Sequence, residues 1–333
     1  MTNKRIGFCC KWSEYDSKGK IASVPELNPM GTTVAWLNRQ TEQVAEDKLW
    51  EIVKHNIESA RKLVERVGAL PHELRMVRLG SDLLPMYTEP RWQYFCRLSD
   101  VRAYAETHFA EVGRLARSLD VRLSFHPGQF CVLASINEGI VQRSIEEFEY
   151  HADMARWMGY GQKFQDFKIN VHISGRQGPQ GIKDVYGRLS PEARNCITIE
   201  NEENAWGLND CLELVDTLPI VLDIHHHWIR EGEYISPNDT RVQRVIDSWR
   251  GVRPTLHYSV SREDILVGHD TNVAPDHAQL LLNGHKKQKL RAHSDFYWNK
   301  AVNQWALGFR DNFDIQCESK AKNLASFELH KQA

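Results

Sequence analysis

A single (β/α)8 barrel, the TIM-barrel class of α/β fold, is what the sequence predicts, and three observations carry the prediction. Eight short runs rich in β-branched and aromatic residues alternate with longer segments of helical spacing, an order that implies parallel pairing. No repeat, low-complexity tract or Pro/Gly/Ser-rich linker divides the 333 residues, so all eight runs are assigned to one domain over 1–333. No Gly-rich phosphate fingerprint follows the first run, which disfavours an open doubly wound sheet and leaves no expected site for a nucleotide cofactor.

In chain order the expected strands are RIGFCC (5–10), MVRLG (76–80), VRLSFH (121–126), FKINVHI (167–173), ITIEN (197–201), IVLDI (220–224), TLHYS (255–259) and DIQCES (314–319). Each is short, apolar on alternate or successive positions, and bounded by polar residues. Between the first two lies 48–69, with apolar residues at spacings of three and four, which reads as a helix. The next, 100–120, opens on Asp100 as an expected N-cap. Shorter helical patterns cover 141–159, 209–218 and 238–249.

Composition limits the class. With 41% hydrophobic and 26% charged residues, and no apolar run approaching the ~18 that a membrane helix needs, a soluble protein with no membrane partner is expected. The N-terminal stretch MTNKRIGFCC lacks an apolar signal core, so a cytoplasmic location is expected. Seven cysteines without metal-finger spacing read as reduced thiols. The formal charge of −2 gives no overall basic signal, so a polyanion would need a local patch.

Function is legible in where the polar residues fall. His126, His172, Glu200, Asp223 followed by His226, His257 and Glu318 sit at or just beyond the C-terminal ends of successive predicted strands. Taken singly, His172 or His257 is more often a satisfied core residue. In a barrel, however, those ends converge on one face, and six coincidences make a pocket. Imidazole and carboxylate without thiolate suit divalent ions such as Zn or Mn, and several ions close together are what phosphoester hydrolysis uses.

Within DIHHHW, adjacent side chains diverge, so at most two of the three histidines face the pocket. His226 is the expected ligand, His227 a substrate contact or support, and His225 structural. In SFHPGQF, the Pro-Gly turn projects Gln129 and Phe130 over the mouth, an amide and a ring suited to an unstacked base. Lys286, Lys287, Lys289 and Arg291 precede His293 and Asp295 and form a local basic run that can grip a DNA backbone. Lys320, two residues beyond Glu318, is expected to reach a phosphate oxygen.

These motifs resemble those of the UV damage endonucleases. The resemblance runs from RIGF (5–8) through RLGSDLLPMYTEP (78–90), SFHPGQF, NVHISGRQG (170–178), ITIENEENAW (197–206), LDIHHHW (222–228), LHYS (256–259) and AHSDF (292–296) to ESKAK (318–322). It implies a barrel nuclease that nicks damaged duplex DNA immediately 5′ to the lesion, acting as a monomer. It also implies two or three divalent ions, Mn first with Zn or Mg as alternatives. By that resemblance His126, His172 and Glu200 hold one ion, Glu200, Asp223, His257 and Glu318 a second, and His226 and His293 contribute to a third. Glu200, Lys320 and His227 are then the residues expected to serve catalysis.

The chain departs from the family pattern at four places. Thr255 stands where the family has a lysine that ligates metal, so the third ion is expected to be weaker, absent or completed by a residue such as His227 or Asp295. Phe8, Trp12 and Phe130 replace two tyrosines and an asparagine associated with probing the lesion, which keeps stacking and loses hydrogen bonding. Two other readings fit the same strand ends: a divalent-metal sugar isomerase or epimerase, and a barrel that binds damaged DNA without cutting it. Neither makes use of both the converging carboxylates and the basic run.

Overall fold

The structure is a computed structural model that describes residues 4–333. Eight parallel strands form one sheet: β1 (Ile6–Cys9), β2 (Met76–Arg78), β3 (Arg122–Phe125), β4 (Lys168–His172), β5 (Ile197–Glu200), β6 (Ile220–Val221), β7 (Thr255–Tyr258) and β8 (Asp314–Cys317). They run in the order β6-β5-β4-β3-β2-β1-β8-β7. The remaining seam, between β6 and β7, is spanned by a parallel bridge from Asp223 to His257, with His257 N–H donating to Leu222 O at 3.0 Å. Every predicted strand is present.

The helices follow the predicted spacing with shifted ends. The first long one runs Glu42–Gly68 behind a Thr41 N-cap. The second, Ser99–Ser118, starts before Asp100: Leu98 occupies the cap, and the acid sits in the first turn, where the helix dipole still favours it. The third is Glu138–Trp157, and Thr240–Ser248 begins after Asp239, which does cap. The pattern at 209–218 resolves into a short helix, Leu208–Cys211, and a 3-10 turn, Leu212–Leu214. A small antiparallel hairpin, Ser13–Tyr15 with Ile21–Ser23, lacks the length to show in periodicity.

Strand alternation puts the apolar residues outside and polar ones inside. Ile169, Val171, Ile197, Ile199, Leu256 and Ile315 are buried in the layer between strands and helices. The opposite set, including Lys168, Asn170, Thr198, Thr255 and Gln316, is equally buried and fills the barrel interior. Thr198 Oγ1 donates to Asn170 Oδ1 at 2.8 Å and Lys168 Nζ lies 3.0 Å from His257 Nε2, so this polar interior is partnered in part, with Thr255 Oγ1 and Gln316 Oε1 left without partners.

The same parity corrects two expectations. Phe8 shares its face with Ile6 and points outward; it is 1% exposed and packs edge-on to Trp12 at 5.7 Å. Trp12, 4% exposed, meets Phe327 of the C-terminal helix Asn323–His330 at 5.8 Å. Both rings are core, unavailable to a DNA base, because that helix covers β1. All seven cysteines are free thiols, and among the described residues no helix is long and apolar enough to cross a membrane.

Candidate metal centre

DIHHHW is the turning point of the site. The predicted strand over 220–224 stops at Val221, and a helix, Ile224–Glu231, starts behind Asp223, whose carboxylate accepts from His226 N at 2.6 Å. Three consecutive histidines therefore fan out at about 100° per residue rather than alternating. His226 enters the cluster. His225 stacks on Trp228 at a centroid distance of 5.9 Å. His227, 1% exposed, turns away to Glu233, with Nε2 3.1 Å from Oε2. The expected role of His227 at the reaction centre is not met, since helical geometry sends it outward.

Around Glu200 the donors fall into three sets: His126, Glu200 and His257; His172, Glu200 and His226; and Glu200, Asp223, His257 and Glu318, the donor atoms of each lying within 4.8 Å of one another. The third set is the one expected. His126 and His172 are divided between two sets that share Glu200 rather than forming one. His293 joins no set among the described residues; its ring centroid is 6.5 Å from that of His226. Asp295 is exposed, so neither it nor His227 completes a third ion here.

Whether these residues suit a cation is tested by their hydrogen bonds. His126 Nδ1 lies 2.9 Å from Pro127 O, His226 Nδ1 3.0 Å from Asn201 O, and His293 Nδ1 3.0 Å from Glu318 O. A carbonyl can only accept, so each Nδ1 carries a hydrogen and Nε2 is the atom left to a metal when the ring is neutral, the support expected of metal-binding histidines. His126 Nε2 then faces Glu200 Oε2 at 3.3 Å, lone pair against carboxylate. Such a pair repels unless a cation or proton lies between. Glu200 Oε1, Asp223 Oδ2 and His257 Nδ1 are buried and make no hydrogen bond. Orphans of this kind, converging from several strands, fit a divalent ion.

Protonation follows the same crowding. Burial works to raise Glu200, but His257 and His172 hold it well below the usual carboxylate range. Burial pushes Asp223 well up, with Glu200 and Glu318 adding to it against His226. Burial opposes the charge on His226, yet Asp223, Glu200 and Glu203 raise it to about 9. Burial, with Arg78 adding to it against Glu200, draws Lys168 down to about 7. Protons here do the work that cations would otherwise do.

The mouth is a cleft of about 630 Å³ whose lining includes Gln129, Glu203, His226, Arg262, Lys289, Arg291 and His293. Gln129 and Lys289 thus stand where expected, and Phe130 projects 85% exposed beside Gln129. Arg291 is engaged with Glu203 at 2.7 Å, and Lys287 donates to Arg230 O at 3.0 Å. Lys286 is exposed at the start of the helix Lys287–Leu290. Lys320 lies beyond the end of β8, which stops at Cys317, so period-two reasoning does not carry it to the pocket; it is exposed.

Four residues escaped the sequence reading. Asn170 donates to Glu200 Oε2, Lys168 supports His257 from below, Glu203 lies 3.7 Å from His226, and Arg78 pairs with Glu318. Lys168, Asn170 and His172 were visible as a period-two polar row inside FKINVHI. Thr255, buried with an unpartnered hydroxyl, lies two residues below His257, so the strand-seven histidine draws its lysine partner from β4 instead.

Comparison with known proteins agrees with this geometry. The family described as UV-endonuclease UvdE matches residues 5–333. A UV-damage endonuclease of Neurospora crassa is 30% identical over 203 residues, 56% of this chain and 30% of that protein. The chain thus aligns with under a third of the fungal relative's length. A UV DNA damage endonuclease of Bacillus cereus (strain B4264) is 23% identical over 89% of this chain and 86% of its own length. The crystal structure of SacUVDE superposes with a TM-score of 0.72 at 21% identity, covering 98% of this chain and 96% of that one. The last likeness bears on the fold alone: the barrel is shared.

Proposed function

The chain belongs to the UV-endonuclease family, and we propose that it is a metal-dependent repair nuclease that nicks duplex DNA immediately 5′ to UV photoproducts or related lesions, as a monomer. The observation that carries the reading is the carboxylate of Glu200, shared by all three donor sets, held by Asn170 and faced by the imidazoles of His126, His172 and His257. When bound there, divalent ions, Mn first with Zn or Mg as alternatives, supply a nucleophilic hydroxide and neutralise the phosphate. His126, His172, His226, Glu200, Asp223, His257 and Glu318 would hold them.

The protein's own residues do the rest. Asn201 and Pro127 carbonyls hold His226 and His126 in one tautomer. In this reading Lys289, Arg291 and Lys286 would take the DNA backbone, and Gln129 with Phe130 the bases. A small neutral sugar would leave that basic rim and the exposed ring without a role.

The test is cleavage of duplexes carrying one cyclobutane dimer, one abasic site or no lesion, with Mn added or chelated, for wild type and Glu200→Gln. The expected result is a Mn-dependent cut 5′ to the dimer by wild type, and binding without cutting by the variant. Cleavage of no duplex by wild type, under any ion, would sink the nuclease reading.

A further inference from the structure

Arg78 is the last residue of β2 and stands in the ring of strand ends with the donors. Its Nη1 donates to Glu318 Oε1 at 2.5 Å, the two side chains being 14% and 10% exposed. Resting on the nuclease reading, we propose that Arg78 binds the scissile phosphate, taking the part that the sequence assigns to Lys320.

The first argument is the unused fork. A guanidinium has five N–H donors in a fixed plane. An arginine that neutralises a carboxylate frequently does so through both oxygens in a bidentate pair. Here one N–H meets one oxygen, and Nε is buried without a partner. The second argument is elimination among the described residues. Lys289, Lys286 and Lys320 are exposed and pair with no carboxylate of the donor sets, Arg262 is held by Asp264, Arg291 by Glu203, and Lys168 lies beneath His257. Arg78 is the cation that touches a carboxylate of the four-donor set, with its side chain still 14% exposed.

Position favours the same role. β2 lies between β1 and β3, and the chain at the end of β1 is bent sharply there, Cys10 adopting φ +68 and donating its N–H to Arg78 O at 2.7 Å. That bond fixes the backbone from which the side chain departs. A planar, partly desolvated guanidinium beside the carboxylates suits a phosphate oxygen, where a lysine offers only a point charge.

The experiment uses the full chain with Arg78→Lys and Arg78→Met, reading Mn affinity by calorimetry, binding to a dimer-containing duplex against salt, and nicking. For R78M the expected result is a nicking rate lower by about 10²–10³-fold and a log–log salt slope shallower by about 1, at near wild-type Mn affinity. R78K is expected to keep the slope yet still lose on the order of 10²-fold in kcat, because an ammonium cannot supply the fork. If R78M does not fold, R78K decides: kcat within about threefold of wild type overturns the proposal. So does an unchanged slope in R78M together with a Mn affinity that falls and is restored in R78K, the signature of a residue that only holds Glu318. Wild type that nicks normally beside unaffected variants overturns Arg78 alone, whereas inert wild type overturns the nuclease reading.

Discussion

Asp223 and His257 are bridged to each other across the last seam of the barrel, and their side chains belong to the same four-donor set. The joint that closes the fold is therefore the joint on which the site is assembled. Asp223 has a further job, because its carboxylate caps the helix that carries His226.

Those two jobs separate by substitution. Asp223→Asn keeps an oxygen for the His226 N–H and removes the anionic donor. Loss of supporting groups around metal ligands costs about 10–100-fold in affinity, so D223N is expected to lose at least that for Mn with stability nearly unchanged. Asp223→Ala also loses the cap and is expected to be less stable by about 1 kcal/mol. Calorimetry with Mn and urea unfolding read the two effects; equal stability loss in both variants would contradict the capping role.

His226 and His227 are neighbours with opposite fates. His226→Ala is expected to weaken Mn binding by roughly 10-fold or more, whereas His227→Ala leaves it unchanged. The latter removes the contact with Glu233 and is expected to cost about 1 kcal/mol of stability. Comparable loss of Mn affinity in the two variants would show that the helix does not fan them apart.

Phe130 is the exposed ring of the mouth and Phe8 a buried one. Base stacking on an aromatic side chain contributes about 1–3 kcal/mol, so Phe130→Ser should reduce preference for lesion-bearing over undamaged duplex by roughly 5- to 150-fold. Its thermal midpoint should stay put. Phe8→Ala should instead lower stability by about 3 kcal/mol without altering lesion preference at a temperature where it is folded. A Phe8 variant of normal stability and altered lesion choice would contradict the burial.

His151 reports on pH away from the metal cluster. It is fully buried, its Nδ1 lies 2.7 Å from Glu147 O, and burial draws it down to about 4 from the ordinary 6.5. A depressed histidine is neutral in the fold and protonated more readily in the unfolded chain. Its contribution is thus complete above pH 6.5, falls as pH drops from 6.5 to about 4, and is constant below. Over that window wild type should lose about 3 kcal/mol more than His151→Gln. Parallel pH profiles for the two proteins would refute the assignment.

How much of this was legible in the amino acids follows from what is local. Strand runs, long helices and the polar residue closing each strand are written in spacings of two and of three to four, which the backbone imposes wherever the chain goes. That level yields eight strands, one barrel and a candidate metal site at the strand ends, while the grouping of Glu200, Asp223, His257 and Glu318 comes from the family resemblance. The facing of each residue is not local. Phe8 and Trp12 are covered because the C-terminal helix returns over β1, and His227 turns away because Asp223 ends a strand by capping a helix. Lys320 falls outside the pocket because β8 stops three residues earlier. Arg78 and Lys168 meet Glu318 and His257 across separations of 240 and 89 residues, contacts that no periodicity encodes. Closure of the barrel brings them together, since only there do the inward faces of distant strands share one volume.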